Sequence, residues 1–330
     1  MPYYDPAAPR VRENHYLARF LVSASGRFEE GEDHLRRAIE LREALAGERP
    51  DDPDQGTELS RSLNNLSELQ YRAGRPTEAL ATALRANTTQ QDLVRRWPDD
   101  PQLRHLLSLS TRALATINRT LGRRQESEPL YRASVAIIAQ VVVENPAVIE
   151  YRRVLATSNE ELGQELVDQG KLAEGLQGFT QAREQAEIVQ RSIPEDTNNL
   201  VTLASIHRGI GKALGKQGKP AEGLASLDRA VAIGERIERR DSVAAYDLAC
   251  TLALCSQLAA SLPEGTGGDD DGAARRHAER SVIQLRKAIG AGWKDADWME
   301  RDPELAALRD RPDYRELIAD LRRAGAPASK

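Results

Sequence analysis

The chain has 330 residues, of which 40% are hydrophobic, 29% charged and only 4% aromatic, with a formal net charge of −5. That balance is rich in helix formers and poor in strand formers, and its mild acidity excludes the clustered basic face of a nucleic-acid binder. The two cysteines, Cys250 and Cys255, are too few for a disulfide framework and read as reduced core residues of a cytoplasmic protein.

From the N-terminus onward, the short motif Gly-[Arg/Lys]-x-x-Glu recurs every 48 residues, opening at Gly26, Gly74, Gly122, Gly170 and Gly218. Self-similarity at a fixed period of this size is the signature of stacked repeats. Small residues hold register five places after each glycine (Gly31, Ala79, Ser127, Gly175, Gly223) and twelve after it (Ala38, Ala86, Ser134, Ala182, Ala230). They permit two helix backbones to approach closely. Apolar residues eight and fifteen places before the glycine, such as Leu66 and Leu59 or Leu114 and Leu107, follow the three-to-four spacing of a helix face. Each motif glycine is therefore expected in a tight turn between two helices.

Prolines at 2, 50, 98, 146 and 194 share the same 48-residue step and mark the opposite joint, ending one helix and starting the next. In the identical tetrapeptides 50–53 and 98–101 the aspartates are placed to cap the following helix. The expected units are five helix pairs over residues 2–241, with boundaries 2–49, 50–97, 98–145, 146–193 and 194–241. Pro2 already stands in register, which suggests either a compact start or a longer protein with an upstream part.

The segment 209–219 carries four glycines but lacks the four-residue spacing and the Lys-Ser/Thr of a phosphate loop, so Gly211 reads as a helix-packing position and Gly218 as a turn. Past residue 241 the register breaks. A divergent sixth helix pair is expected over 242–292, its link containing Asp269, Asp270 and Asp271 without the ligand spacing of a calcium loop. Residues 293–324 carry Trp293, Trp298, Asp302-Pro303, Pro312-Asp313 and Tyr314, a pattern of short helices whose aromatic residues cover the end of the last pair.

Together these features resemble the tetratricopeptide repeat family, most closely at Leu162, Gly163, Gly170, Gly175, Phe179 and Ala182 and again at Gly211, Gly218, Gly223, Leu227 and Ala230. The resemblance spans the five units in a long-helix, 48-residue form. It departs from the family where His15, Leu63, Thr111, Asn159 and His207 replace the bulky aromatic residue of the first helix. It implies an all-α, right-handed superhelical solenoid of antiparallel helix pairs with a short helical C-terminal cap. The C-terminal part, with Tyr246-Asp247-Leu248-Ala249-Cys250, resembles the end of repeat arrays attached to bacterial serine/threonine protein kinases, although no kinase motif stands in this chain.

The family resemblance also places the first helices along a concave groove. Its candidate partner-binding residues are Tyr16, Arg61, Asn64, Glu68, Tyr71, Arg112, Arg119, Glu160, Gln164, Arg208 and Lys212, joined by Phe20 and Thr116. Arg, Asn and Tyr side chains suit a peptide backbone and acidic groups. The family's clamp for a C-terminal carboxylate is not carried over, because Asn65 fits it while Tyr16, Phe20, Leu109 and Ala113 do not. The histidines are scattered over different repeats, with no second His or Cys at metal-ligand spacing, so no catalytic residue, metal site or cofactor is expected. Residues 1–9 carry no signal-peptide core and the longest apolar run, 135–143, is too short for a bilayer. The expectation is a cytoplasmic, non-catalytic protein-interaction scaffold with no membrane or nucleic-acid partner. The alternative is the C-terminal regulatory or docking array of a bacterial serine/threonine kinase, whose catalytic domain would precede Met1 in the same polypeptide.

Overall fold

A computed structural model describes residues 28–237, 241–262 and 270–325, which are helical and contain no strand. The helices come in chain order as α1 (Phe28–Glu48), α2 (Pro53–Arg72), α3 (Pro76–Arg96), α4 (Pro101–Thr120), α5 (Arg124–Glu144), α6 (Ile149–Asp168), α7 (Leu172–Ser192), α8 (Thr197–Lys216) and α9 (Pro220–Arg236). There follow α10 (Ser242–Ala260), α11 (Asp270–Gly290), α12 (Ala296–Arg301), a 3-10 turn (Pro303–Leu308) and α13 (Pro312–Gly325). Two compact units divide at residues 158 and 159, within α6. Gly26, Tyr16 and Phe20 lie outside the described residues.

The 48-residue step governs the helix ends. First helices begin at 53, 101, 149 and 197, and second helices at 76, 124, 172 and 220. Between them Gly74, Gly122, Gly170 and Gly218 take φ from +74° to +80°, a left-handed conformation that a side chain disfavours by about 1–2 kcal/mol. The residue after the turn glycine donates its N–H back across the helix end, as Arg75 does to the Gln70 carbonyl at 2.9 Å. The opposite joint is set by capping. Asp52 accepts from Asp54 N at 3.0 Å, and Asp100 from Gln102 N at 2.8 Å, with Pro53 and Pro101 opening their helices where the missing N–H has no intrahelical partner.

In the first unit, Ser60 Oγ donates to the Ala86 carbonyl (3.2 Å) and Ser67 Oγ to that of Ala79 (2.9 Å). As one residue number rises its partner falls, so α2 and α3 run antiparallel at close approach. Neighbouring pairs are joined by buried polar contacts. Asn87 Nδ2 donates to Ser110 Oγ (3.1 Å) and Thr111 Oγ1 (2.9 Å), and Gln90 Nε2 to the Leu103 carbonyl (3.0 Å). Glu32 on α1 is buried and accepts from Arg36 Nη2 at 2.6 Å, from Gln70 at 3.3 Å and from Arg75. Burial alone would raise its carboxyl pKa, but Arg75 and Arg36 outweigh that and hold it below the ordinary value. Thus the basic residue of the repeat motif at Gly74 reaches back to the preceding pair.

In the second unit the same approach is made backbone to backbone. A Cβ added at Gly211 would stand 3.0 Å from the Gly223 carbonyl oxygen and 2.6 Å from Leu227 Cγ, and one added at Gly223 would stand 2.9 Å from the Gly211 oxygen. These two glycines let α8 and α9 touch. The sixth pair is built around α10, which is long and apolar enough to cross a membrane, with 67% of its apolar window buried inside the protein. That property was not read from the sequence, where 135–143 was the longest apolar run.

The C-terminal elements pack on this sixth pair. Met299, Leu305, Leu308, Tyr314, Leu317 and Ile318 share a core with Tyr246, Ala249 and Cys250 of α10 and Val282 and Leu285 of α11. Trp293 stacks on Tyr246 with centroids 4.0 Å apart and planes at 3°. The buried Asp302 ties the cap down, accepting from Tyr246 Oη at 2.7 Å and, through its other oxygen, from Glu304 N at 2.9 Å. Trp298, expected to cover the end of the array, is instead 52% exposed, because α12 turns its Met299 side inward and Trp298 away.

Two stability predictions follow from this packing. Gly211→Ala forces Leu227 or the α9 backbone to shift and lowers stability by about 1–3 kcal/mol, read as a fall in the urea midpoint with unchanged slope. His105 is buried beside Tyr151, with neither ring nitrogen hydrogen-bonded among the described residues. Burial, reinforced by Arg61, depresses its pKa to about 4. The unfolded chain therefore takes up a proton first, so stability falls as pH drops from about 6.5 to about 4, by up to roughly 1.4 kcal/mol per unit. His105→Leu removes that term: the variant gains on the wild type at pH 5 relative to pH 7 in paired urea melts, and an equal difference at both pH values refutes the assignment.

Candidate functional site

The first unit contains a cavity of about 800 Å³ between α2 and α4. The three-to-four spacing of α2 brings Arg61, Asn64, Asn65, Glu68, Tyr71 and Arg72 onto one wall. From α4 come Leu106, Leu109, Arg112, Ala113 and Thr116. Leucine and alanine thus form an apolar floor while three arginines and one glutamate set a basic rim. Arg61 pairs with Glu58 at 2.7 Å and Arg72 with Glu68 at 2.7 Å, so both guanidiniums are held on the surface of α2. Tyr71 Oη lies 3.0 Å from Thr120 Oγ1, and Thr116 Oγ1 lies 3.0 Å from the hydroxyl of the fully buried Tyr131. Asn64 Oδ1 is buried with no hydrogen-bond partner among the described residues. An acceptor left in this state is a natural point of attachment for a donor such as a peptide N–H.

Six of the residues nominated from the sequence therefore meet in one cavity: Arg61, Asn64, Glu68, Tyr71, Arg112 and Thr116. Arg119 is not among the residues that line it; its guanidinium carbon lies 5.8 Å from the Tyr131 ring centroid. Leu106, Leu109 and Arg72 were not nominated. Leu109 stands thirteen residues before its turn glycine, the register place that Arg61 holds in the preceding repeat, so the signal was present and a search for polar groups passed over it.

The second unit treats its nominated residues differently. Glu160 accepts from Ser205 Oγ at 2.7 Å, and Gln164 donates to Asp168 at 2.7 Å. Arg208 Nη1 lies 2.9 Å from Asp247 and 3.5 Å from Glu304, and Lys212 Nζ lies 2.6 Å from Glu304. Glu304 belongs to the C-terminal 3-10 turn, so the chain's own cap occupies the basic residues of α8. Burial opposes charge on Glu304, yet Arg208 and Lys212 outweigh it and hold the carboxyl pKa below its ordinary value. Arg208 is correspondingly held above the usual guanidinium value despite its burial, by Glu304 and Asp247.

The linkage has a definite sign. A carboxyl whose folded pKa is depressed stabilises the protein above its ordinary pKa and loses that contribution as pH falls through the folded value. Glu304→Gln is expected to lower stability at pH 7 by roughly 1–3 kcal/mol, less than a fully buried pair because all three groups keep some solvent contact. The difference from wild type shrinks as pH falls below the ordinary carboxylate pKa of about 4.3 and is lost as pH passes the depressed folded value. Urea melts of both proteins across this range check it, and a pH-independent difference counts against the ion pair as its source.

Residues 15–54 match the family model for the tetratricopeptide repeat. A search of curated proteins gives no match. Among solved structures, the fold is similar to BtubC from P. vanneervenii, with a TM-score of 0.59 and 19% identity over 81% of this chain and 94% of that one. It is also similar to a putative kinesin light chain from Podosopora anserina with nearly identical TPR-like repeats, with a TM-score of 0.51 and 19% identity over 72% of this chain and 100% of that one. A third similarity is to the STAND protein with a tetratricopeptide repeat sensor from Pyrococcus horikoshii, with a TM-score of 0.62 and 11% identity over 87% of this chain and 38% of that one. At these identities the likeness speaks for the fold alone. Residues 15–54 thus match a tetratricopeptide repeat, and the consecutive antiparallel helix pairs share their fold with solved structures of tetratricopeptide-like repeats.

Proposed function

We propose that this protein is a non-catalytic cytoplasmic interaction scaffold whose α2–α4 cavity holds a protein segment. The segment inserts an apolar side chain over Leu106, Leu109 and Ala113, places an acidic group near Arg61 and Arg112, and donates a backbone N–H to Asn64. The observation that carries this reading is the coincidence, in one cavity of about 800 Å³, of an apolar floor, a basic rim and the buried Asn64 Oδ1, unpartnered among the described residues. Such a site anchors a side chain and reads a backbone, as a small number of convergent polar groups on apolar walls does elsewhere. The apolar Leu109 and Ala113 at the floor favour a side-chain anchor over a carboxylate clamp. The second unit contributes less, since its Arg208 and Lys212 are held by Glu304. Two free, buried cysteines accord with a reducing compartment.

Selection from a random peptide display library against the full chain tests the proposal. The expected consensus is an apolar residue flanked by Asp or Glu. Asn64→Ala and Arg112→Ala, each with unchanged helical circular dichroism, should weaken a selected peptide about tenfold or more, as loss of a central contact does. Arg208→Ala should leave it unchanged. Peptides that bind both cavity variants as tightly as wild type would place the working surface elsewhere.

A further inference from the structure

Three side chains on three helices of the second unit converge outside any groove position. Asp228 stands on α9, Cys255 on α10 and His277 on α11, and one ligating atom from each lies within 4.8 Å of the others. They are separated in sequence by more than twenty residues at each step, so no spacing motif announces them. We propose that Asp228, Cys255 and His277 form a site for a zinc-class divalent cation.

The donor set suits that metal. A thiolate, an imidazole and a carboxylate are the three ligand types zinc takes in four-coordinate sites, and a three-residue set leaves the fourth position for water. Two anionic donors also neutralise a divalent charge, which lowers the cost of holding it beside an apolar core. The burial is graded in the right direction. Cys255 has no exposed surface, His277 is half-buried and Asp228 is exposed, so the site has a solvent entrance on the carboxylate side. That gradient also separates this site from a cysteine nucleophile, which needs a sulfur that substrate can reach.

A second observation points to a ligand. His277 Nδ1 is buried and has no hydrogen-bond partner among the described residues. Buried ring nitrogens are nearly always satisfied, and a cation among these three groups supplies what the protein does not. The nearby Arg280 is engaged with Glu235 at 2.7 Å, which directs one cation of the neighbourhood to another partner. On binding, the metal replaces the proton of the Cys255 thiol, which leaves to solvent, and the sulfur–metal bond ties α10 to α9 and α11. The site would therefore staple the last regular repeat to the divergent sixth pair.

The probe is Co²⁺, added to the full chain prepared without a histidine tag and stripped with chelator. One equivalent should produce a thiolate-to-cobalt charge-transfer band and the intense visible bands of four-coordinate Co²⁺, and Zn²⁺ should bleach both. Cys250→Ser should retain the bands, because Cys250 lies instead against Asp302 at 3.8 Å. Cys255→Ser should abolish the charge-transfer band. Cys255 is wholly buried and its variant can misfold, so His277→Gln and Asp228→Asn provide the independent arm. With unchanged circular dichroism, His277→Gln should weaken Zn²⁺ by more than about 100-fold, the upper end of what loss of an outer partner costs. Zn²⁺ should raise the thermal midpoint of wild type and leave that of His277→Gln unmoved. Absence of the bands in wild type, their persistence in Cys255→Ser, their loss from a folded Cys250→Ser, or a His277→Gln variant with wild-type affinity would each overturn the site.

Discussion

The structure depends on how closely two helices of a pair can approach. A turn that reverses the chain within a few residues needs a left-handed backbone at Gly74, Gly122, Gly170 and Gly218, and that conformation is available to glycine without a side-chain clash. Once the chain has reversed, the places five and twelve residues later face the partner helix. There Ala79, Ala86, Ser127, Ser134 and Ala182 are wholly buried, and Gly223 meets Gly211 backbone to backbone. A larger side chain at Ala79 or Ala86 would hold α2 and α3 apart and move the residues of α2 that line the α2–α4 cavity.

Because so much of the interior is made of small residues, polar contacts do a large share of the joining. Serine hydroxyls donate to carbonyls between the two helices of a pair, and Asn87, Gln90 and Glu32 bond between neighbouring pairs in the first unit. One register place of the first helices carries Thr111, which receives Asn87, and His207, whose carbonyl accepts from Ser226. Buried polar groups with defined partners specify one alignment of neighbouring helices, where apolar residues alone would tolerate several. Not every buried polar group is served in this way: in the first unit neither ring nitrogen of His105 has a hydrogen-bond partner among the described residues.

The C-terminal cap solves a separate problem. The pair α10–α11 presents an apolar face, and α12, the 3-10 turn and α13 cover it through Met299, Leu305, Leu308 and Tyr314. Asp302 fixes the geometry by receiving Tyr246 and capping the turn that carries Glu304. The same turn sets Glu304 against Arg208 and Lys212. One short segment therefore covers a core and neutralises basic residues that an open array would expose.

Period, turn positions, capping aspartates and the small-residue seams were all legible in the sequence, because each depends on residues within one or two helices of chain and repeats at a fixed step. Arg61, Asn64, Glu68, Tyr71 and Arg112 were found in the same way, through register. Leu109 was missed there only because it is apolar. What the sequence could not show is which side chains separate elements bring together. The engagement of Arg208 by Glu304 joins residues 96 apart in number, and Trp298 faces solvent only because Met299 fills the space beneath α12. Asp228, Cys255 and His277 likewise share no local pattern. Local conformation is decided by neighbouring residues, whereas contacts among α8, α9, α10, α11 and the cap are decided by packing, and only the folded chain determines them.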